Sequence, residues 1–306
     1  MPIFYAFILL ITSFFWGANF VFSKFLIGHA SPITLTILRW IIAVLFLFPL
    51  VWKKEKKLSL PKESLLPLLL MGLTGVVLFN IFQFLAIAGT SSINVSLIST
   101  MNPISIAIAS AFLLHEKMSG KQMTAMAVSF FGVLVVLTKG DASKLFALRF
   151  NIGDLWMVTA VMIWGIYSIC AKWAMKTVSP MAATFYSGLF GVLILLPFNL
   201  TNMQVENINL PFLSSLVYTG LISTVVCMLL WNMGVQKVGA TNAGIFLNFN
   251  PVFTVMLAFL ILNEKMNGAE WFGSAIVITG CYLFSRFASS KKIVPAEQAN
   301  SLPKQV

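Results

Sequence analysis

Residues 113–122, LLHEKMSGKQ, and residues 260–269, LILNEKMNGA, write Glu-Lys-Met-x-Gly twice, at Glu116 to Gly120 and at Glu264 to Gly268, 148 positions apart. The same offset carries Trp16-Gly17 onto Trp164-Gly165, Lys24 onto Lys172, Ser31-Pro32 onto Ser179-Pro180 and Pro49 onto Pro197. It also carries Gly72 onto Gly220, Asn94 onto Asn242, Asn102-Pro103 onto Asn250-Pro251, and Gly132 onto Gly280. One offset without a gap marks an internal duplication.

Composition says what is duplicated. Of 306 residues 59% are apolar and 9% charged, a balance that leaves too little polar surface for a water-soluble domain of this length. Apolar runs of bilayer-crossing length recur along the chain, and they are continuous, which favours helices over barrel strands. Ten helices are expected, at 4–25, 33–52, 65–87, 92–114, 122–138, 154–174, 181–200, 212–234, 240–262 and 270–288. Each copy therefore holds five helices, and an odd number inserts the second copy with the opposite polarity, as in secondary transporters built from inverted repeats. The expected fold is an all-α membrane protein of two inverted five-helix repeats, 5–138 and 153–286, followed by a polar cytoplasmic tail, 289–306.

The first apolar run lacks a basic leader and an Ala-x-Ala site, so it is expected to remain as helix 1. With a cytoplasmic N-terminus, fourteen Lys and Arg fall on the cytoplasmic side and five outside, which places both termini in the cytoplasm of a cell-membrane protein. The segment 53–64, KKEKKLSLPKES, then lies against the anionic inner leaflet. The net charge of +11 is thus topological, and its dispersion among loops gives no nucleic-acid surface.

Several function classes drop out. Two histidines, His29 and His115, and three cysteines, Cys170, Cys227 and Cys281, each in a different helix, make no metal cluster and no nucleophile with its base. No Gly-x-x-x-x-Gly-Lys loop is present, so neither ATP nor another cofactor is expected, and the chain is not expected to be an enzyme. No Asp or Glu lies within a helix core, since Asp154 and Glu270 fall at first turns and Glu116 and Glu264 at helix ends. Neutral, zwitterionic or anionic solutes are therefore expected, in preference to lipophilic cations exchanged for protons.

The polar residues within the spans are the candidate site. On helix 1, Trp16, Asn19, Phe20 and Ser23 share one face, and Trp164 and Tyr167 repeat that face on helix 6. They line either a cavity for a small amphipathic molecule or a packing seam. Asn80, Gln83, Asn94, Asn102, Asn242, Asn248 and Asn250 need partners in hydrocarbon, as glue between helices or as solute ligands. Pro103 and Pro251, within the fourth and ninth helices, are expected to bend them and free a backbone carbonyl, for a ligand or for packing. Lys24 either snorkels to the interface or meets an anionic group, and Arg39 either attracts a carboxylate or reaches the outer interface. The turns holding Glu116 and Glu264 read either as caps with a salt bridge or as gates between the halves, and Ser119 with Gln122 fits a capping box.

These residues carry a resemblance. FFWGANFVFSKFLIGHASPITLTILRW and INVSLISTMNPISIAIASAFLLHEKMSGKQMTAMAVSFFGV resemble the opening and close of an EamA domain. VMIWGIYSICAKWAMKTVSP and TNAGIFLNFNPVFTVMLAFLILNEKMNGAEWFGSAIVITG resemble a second copy. The resemblance implies the drug/metabolite transporter superfamily: ten helices, no cofactor, and mostly export of amino acids or other small metabolites. A passive facilitator or an uptake carrier for such metabolites is the alternative, and the oligomeric state is left open. One departure stands out, because the position of Arg39 is filled by Ser187 in the second copy, so a site between the halves need not be symmetric.

Overall fold

The computed structural model describes residues 2–55, 60–90, 95, 98–115, 118–141, 143, 151–262 and 268–287. Asn94, Glu116, Glu264 and the segment 289–306 lie outside the described residues. Among the described residues six helices are long and apolar enough to cross a membrane: α1 (Ile3–Lys24), α2 (Pro32–Glu55), α3 (Lys62–Gly89), α6 (Ile152–Ala174), α7 (Pro180–Asn199) and α8 (Leu210–Val238). The described residues add α4 (Asn102–Leu113), α5 (Gly120–Thr138) and α10 (Gly268–Phe287). The remaining helix, α9, is built of three pieces, Ala240–Gly244, a 3-10 turn Ile245–Asn248, and Phe249–Leu262.

The distribution of side chains is that of a multi-span membrane protein. Ile3, Phe7, Leu45, Phe112, Leu193 and Phe198 are exposed on the outside, while Asn19, Arg39, Asn80, Asn232 and a set of serines and threonines are buried. Hydrocarbon solvates the first group as well as a protein core would, so association of the helices rests on close packing and on pairing the buried polar groups.

Local sequence explains where helices start. Ser31 and Ser179 accept from the backbone N–H groups of Thr34 and Ala182, with Pro32 and Pro180 in the first turns. Ser119 and Gln122 close the expected capping box, and Asn151 with Asp154 closes a second. Asp154 is fully buried and also accepts the Thr90 hydroxyl at 2.6 Å, pinning the end of α3 to the start of α6. Gly239 turns the chain from α8 into α9 at φ 87°, a backbone conformation open to glycine.

Where helices are interrupted, the structure departs from the expected simple spans. Both prolines sit in the first turn of a helical piece: Pro103 follows the turn at Thr100–Met101, and Pro251 follows the 3-10 turn of α9. Pro103 therefore begins a helix after an irregular turn, whereas Pro251 follows a 3-10 turn within α9, at the carbonyl a turn earlier that its ring disturbs. A second interruption comes without proline. α3 and α8 each pass through a π-helical segment, Gly72–Leu78 and Tyr218–Val226. The 148 offset carries the first onto 220–226, so both halves widen at one place.

Contacts between the halves follow the same rule. A Cβ on Gly17 would meet Asn250 and Phe253, and one on Gly165 would meet Ser105; Gly72 faces Ser187 and Gly191, while Gly220 faces Arg39 and Ile42. Gly132 lies against Gly273 and Val277, and Gly280 against Ser129. Adding 148 to one partner and subtracting it from the other turns Gly17–Phe253 into Gly165–Ser105, Gly72–Ser187 into Gly220–Arg39, and Gly132–Val277 into Gly280–Ser129. Exchange of the halves thus restores the packing, and glycine at these six positions lets backbones approach where a side chain would collide.

Candidate functional site

Between the halves lies a cavity of about 550 Å³, a figure that includes its open side. It is lined by Trp16, Asn19 and Phe20 of α1, Arg39 and Trp40 of α2, and Gly75, Phe79, Asn80 and Gln83 of α3. Ser99 and Asn102 reach it from the start of α4, Met157 and Trp164 from α6, Thr224 and Met228 from α8, and Leu247 and Asn250 from the break in α9. The lining comes from the second half of α1 and the first half of α6, so the cavity is displaced toward the end of the bundle where Gly89 touches Gly153.

Arg39 is the centre of its polarity. Arg39 is 6% exposed, and its Nε donates to Thr224 Oγ1, Nη1 to Asn80 Oδ1 at 3.1 Å, and Nη2 to Ser223 Oγ at 3.0 Å. These bonds place it between the two π segments, since Ser223 and Thr224 lie in the second and Asn80 follows the first. Three neutral oxygens orient the fork and leave N–H donors over. Among the described residues no carboxylate pairs with it, so its charge is balanced by no protein group there.

Other polar atoms at the cavity are also unpaired. Among the described residues, Asn19 Oδ1, Asn102 Oδ1 and Asn250 Oδ1 are buried acceptors without a partner, and Trp40 Nε1 and Trp164 Nε1 are buried donors without one. Each such group costs about 1–3 kcal/mol when left so. Five at one cavity are the mark of a place that water or a ligand fills.

On one side the cavity ends in an aromatic floor. Trp164 packs on Trp16 at 5.4 Å, edge to face, and on Phe79, Tyr167 and Trp231 at 4.7, 4.8 and 5.7 Å between ring centroids. Trp16 Nε1 is tied to the Ser223 carbonyl at 2.9 Å. Beyond the floor α1 and α8 close together, where a Cβ on Gly234 would fall 2.6 Å from a Leu9 methyl.

Of the residues expected from sequence, Trp16, Asn19, Arg39, Asn80, Gln83, Asn102, Trp164 and Asn250 come together here. Others do not. Lys24 is exposed at the end of α1, Ser23 is buried outside the lining, and the Tyr167 hydroxyl is used on Asn232 at 3.2 Å. Asn242 donates to the Val238 carbonyl at 2.8 Å, and Asn248 to Ser129 at 3.0 Å, which makes both part of the scaffold of α9. Asn94, Glu116 and Glu264 lie outside the described residues, so gating by the two glutamates stays an expectation. Of the two readings of Arg39, the structure rejects the interface, because the side chain turns inward to hydroxyls and an amide. Sequence reasoning missed Trp40, Ser223 and Thr224; Trp40 is signalled only as Arg39's neighbour, and small hydroxyl residues in a span carry no signal at all.

A family model, the EamA-like transporter family, matches residues 3–138 and 151–286, two tandem copies that together span most of the chain. The chain belongs to the EamA-like transporter family. It is similar to the uncharacterized transporter YyaM of Bacillus subtilis, 27% identical over 291 residues that cover 94% of this chain and 95% of YyaM. It is also similar to a protein of Chlamydia trachomatis serovar D named an S-adenosylmethionine/S-adenosylhomocysteine transporter, 25% identical over 90% of this chain and 88% of that one. A solved crystal structure 17% identical superposes with a TM-score of 0.72, covering 95% of this chain and 100% of the other, which speaks for the fold alone. This EamA-family chain is therefore a multi-pass membrane transporter and not an enzyme.

Proposed function

We propose that the chain is a secondary transporter that exports small metabolites carrying a carboxylate or another anionic group, by alternating access around the cavity at Arg39. The observation that carries this reading is the buried guanidinium with donors to spare and no carboxylate beside it among the described residues. A charge so placed favours an anion from outside the protein. The unpaired amide oxygens of Asn19, Asn102 and Asn250 suit the donors of an ammonium or amide on the same solute, so amino acids and related zwitterions fall within the class. S-adenosylmethionine and S-adenosylhomocysteine, named for the chlamydial relative, have an amino-acid head of this kind, and Trp16 and Trp164 offer faces for a flat ring.

Ten spans, inverted repeats and cytoplasmic termini complete the reading. The reciprocal packing of the glycines supports two halves related by a two-fold exchange, and an odd number of helices per half puts that axis in the membrane plane. With basic residues inside, the cavity lies toward the outer end and the aromatic floor separates it from the cytoplasm. The localisation that follows is the cell membrane.

The test is paired metabolite profiling of medium and cytoplasm, in cells overproducing the protein and in cells without it. The expected outcome is an anionic or zwitterionic solute enriched outside and depleted inside, followed by saturable counter-flow of that solute in liposomes. Accumulation inside would reverse the direction, and flux that neither saturates nor exchanges would make it a passive facilitator.

A further inference from the structure

The two π segments offer the same backbone group, and the chain uses it differently in each half. In the second half the Ser223 carbonyl accepts the Trp16 indole N–H at 2.9 Å. The 148 offset turns this pair into Gly75 and Trp164, and there the bond is missing. The Gly75 carbonyl accepts instead from Asn80 Nδ2 at 2.8 Å, with the Val76 carbonyl 3.0 Å from the same nitrogen, while Trp164 Nε1 is buried with no partner. Position 80 is where the halves differ: its counterpart, Met228, has no hydrogen to give.

Asn80 has a second duty at its other end, because its Oδ1 accepts from Arg39 Nη1 at 3.1 Å. One planar amide thus holds Arg39 on its oxygen and the Gly75 carbonyl on its nitrogen. It cannot turn without changing both bonds.

We propose that Asn80 is a positioning residue that couples solute binding at Arg39 to the tryptophan floor. While Arg39 holds the amide, Asn80 keeps Trp164 off the Gly75 carbonyl. An anion that takes up the Arg39 N–H groups releases the amide, and Trp164 then bonds Gly75 as Trp16 bonds Ser223, which moves the floor. The coupling rests on the reading of Arg39 as the anion site; the hold on Gly75 does not.

The hold is tested in purified protein without solute, by a double-mutant cycle read as melting temperature. Asn80→Asp keeps an oxygen toward Arg39 and removes the donor to Gly75, so the carbonyl becomes free for Trp164. Trp16→Phe and Trp164→Phe both lose ring packing, and Trp16→Phe is expected to lower the melting temperature by about 2–4 °C more, because only Trp16 gives up a hydrogen bond. In the Asn80→Asp background Trp164→Phe is expected to become as costly as Trp16→Phe. Asn80→Met, which copies the second half, is the second variant and must give the same cycle. An equal effect of Trp164→Phe in all backgrounds overturns the proposal. The coupling is then read in liposomes with a transported solute: Asn80→Met, which puts no charge beside Arg39, should hold KM while turnover falls several-fold, and a raised KM with turnover kept overturns it. If the wild-type protein moves no anionic solute, the transport reading fails and the cycle still decides the hold.

Discussion

At the scale of single residues, Arg39 dominates. Burying a guanidinium without a counter-ion is unfavourable, and three hydrogen bonds to neutral oxygens offset only part of that cost. On the proposed function, a solute anion supplies the remainder. Arg39→Ala is accordingly expected to lower kcat/KM for an anionic solute by about 10–100-fold, the equivalent of a charge-assisted hydrogen bond worth about 1.5–3 kcal/mol. Arg39→Lys is expected to recover only part of the loss, since an ammonium cannot reproduce the planar fork. Initial flux of an anionic solute and of a neutral isostere separates the readings, because an equal loss on both would reduce Arg39 to a structural bolt between the π segments. Arg39 was legible as a candidate because a lone arginine in an apolar run is conspicuous. Its partners were not: Thr224, Ser223 and Asn80 lie 185, 184 and 41 residues away, and no local pattern joins them.

Among elements, the paired helices α5 and α10 are held by backbone approach. A Cβ on Gly280 would fall 2.5 Å from the Ser129 nitrogen and 2.7 Å from its Cα, and backbone cannot step aside. Gly280→Leu is expected to cost about 1–3 kcal/mol or more, seen as a drop of several degrees in melting temperature in detergent. Gly120, at the start of α5 with open space around it, is the control: Gly120→Ala is expected to be neutral or slightly stabilising. A comparable drop at both positions would sink the packing account. The start of α5 was legible from Ser119 with Gln122, because a capping side chain acts within a turn of itself. The π segments were hidden. An i→i+5 ladder leaves no mark in a run that is apolar all round, where the hydrophobic period has nothing to contrast with.

For the whole molecule, exchange of the halves is the organising fact, and orientation in the bilayer is its consequence to be measured. The three native cysteines are buried, so single added cysteines report on topology with little background. Asn202→Cys, in the exposed turn between α7 and α8, is expected to react with a membrane-impermeant maleimide in intact cells. Lys54→Cys, at the exposed end of α2, is expected to react only after permeabilisation. The opposite pattern would invert the molecule and put the cavity on the cytoplasmic side. The duplication itself was legible at one offset, because related halves keep the same residues at the same spacing wherever the packing needs them, as Gly132 and Gly280 show.

The sequence by itself determined that this is an all-α membrane protein in two copies, where several of its helices start, and which polar residues are out of place in hydrocarbon. Those properties are local: composition, run length, caps and a repeat offset can be read along the chain. Tertiary structure alone decided that Arg39 turns inward, that Tyr167 and Asn248 serve the scaffold, and that Asn80 holds a carbonyl which its counterpart leaves to a tryptophan. Identical motifs in the two halves acquire different duties because each side chain answers to neighbours from the other half, and those neighbours are not the same.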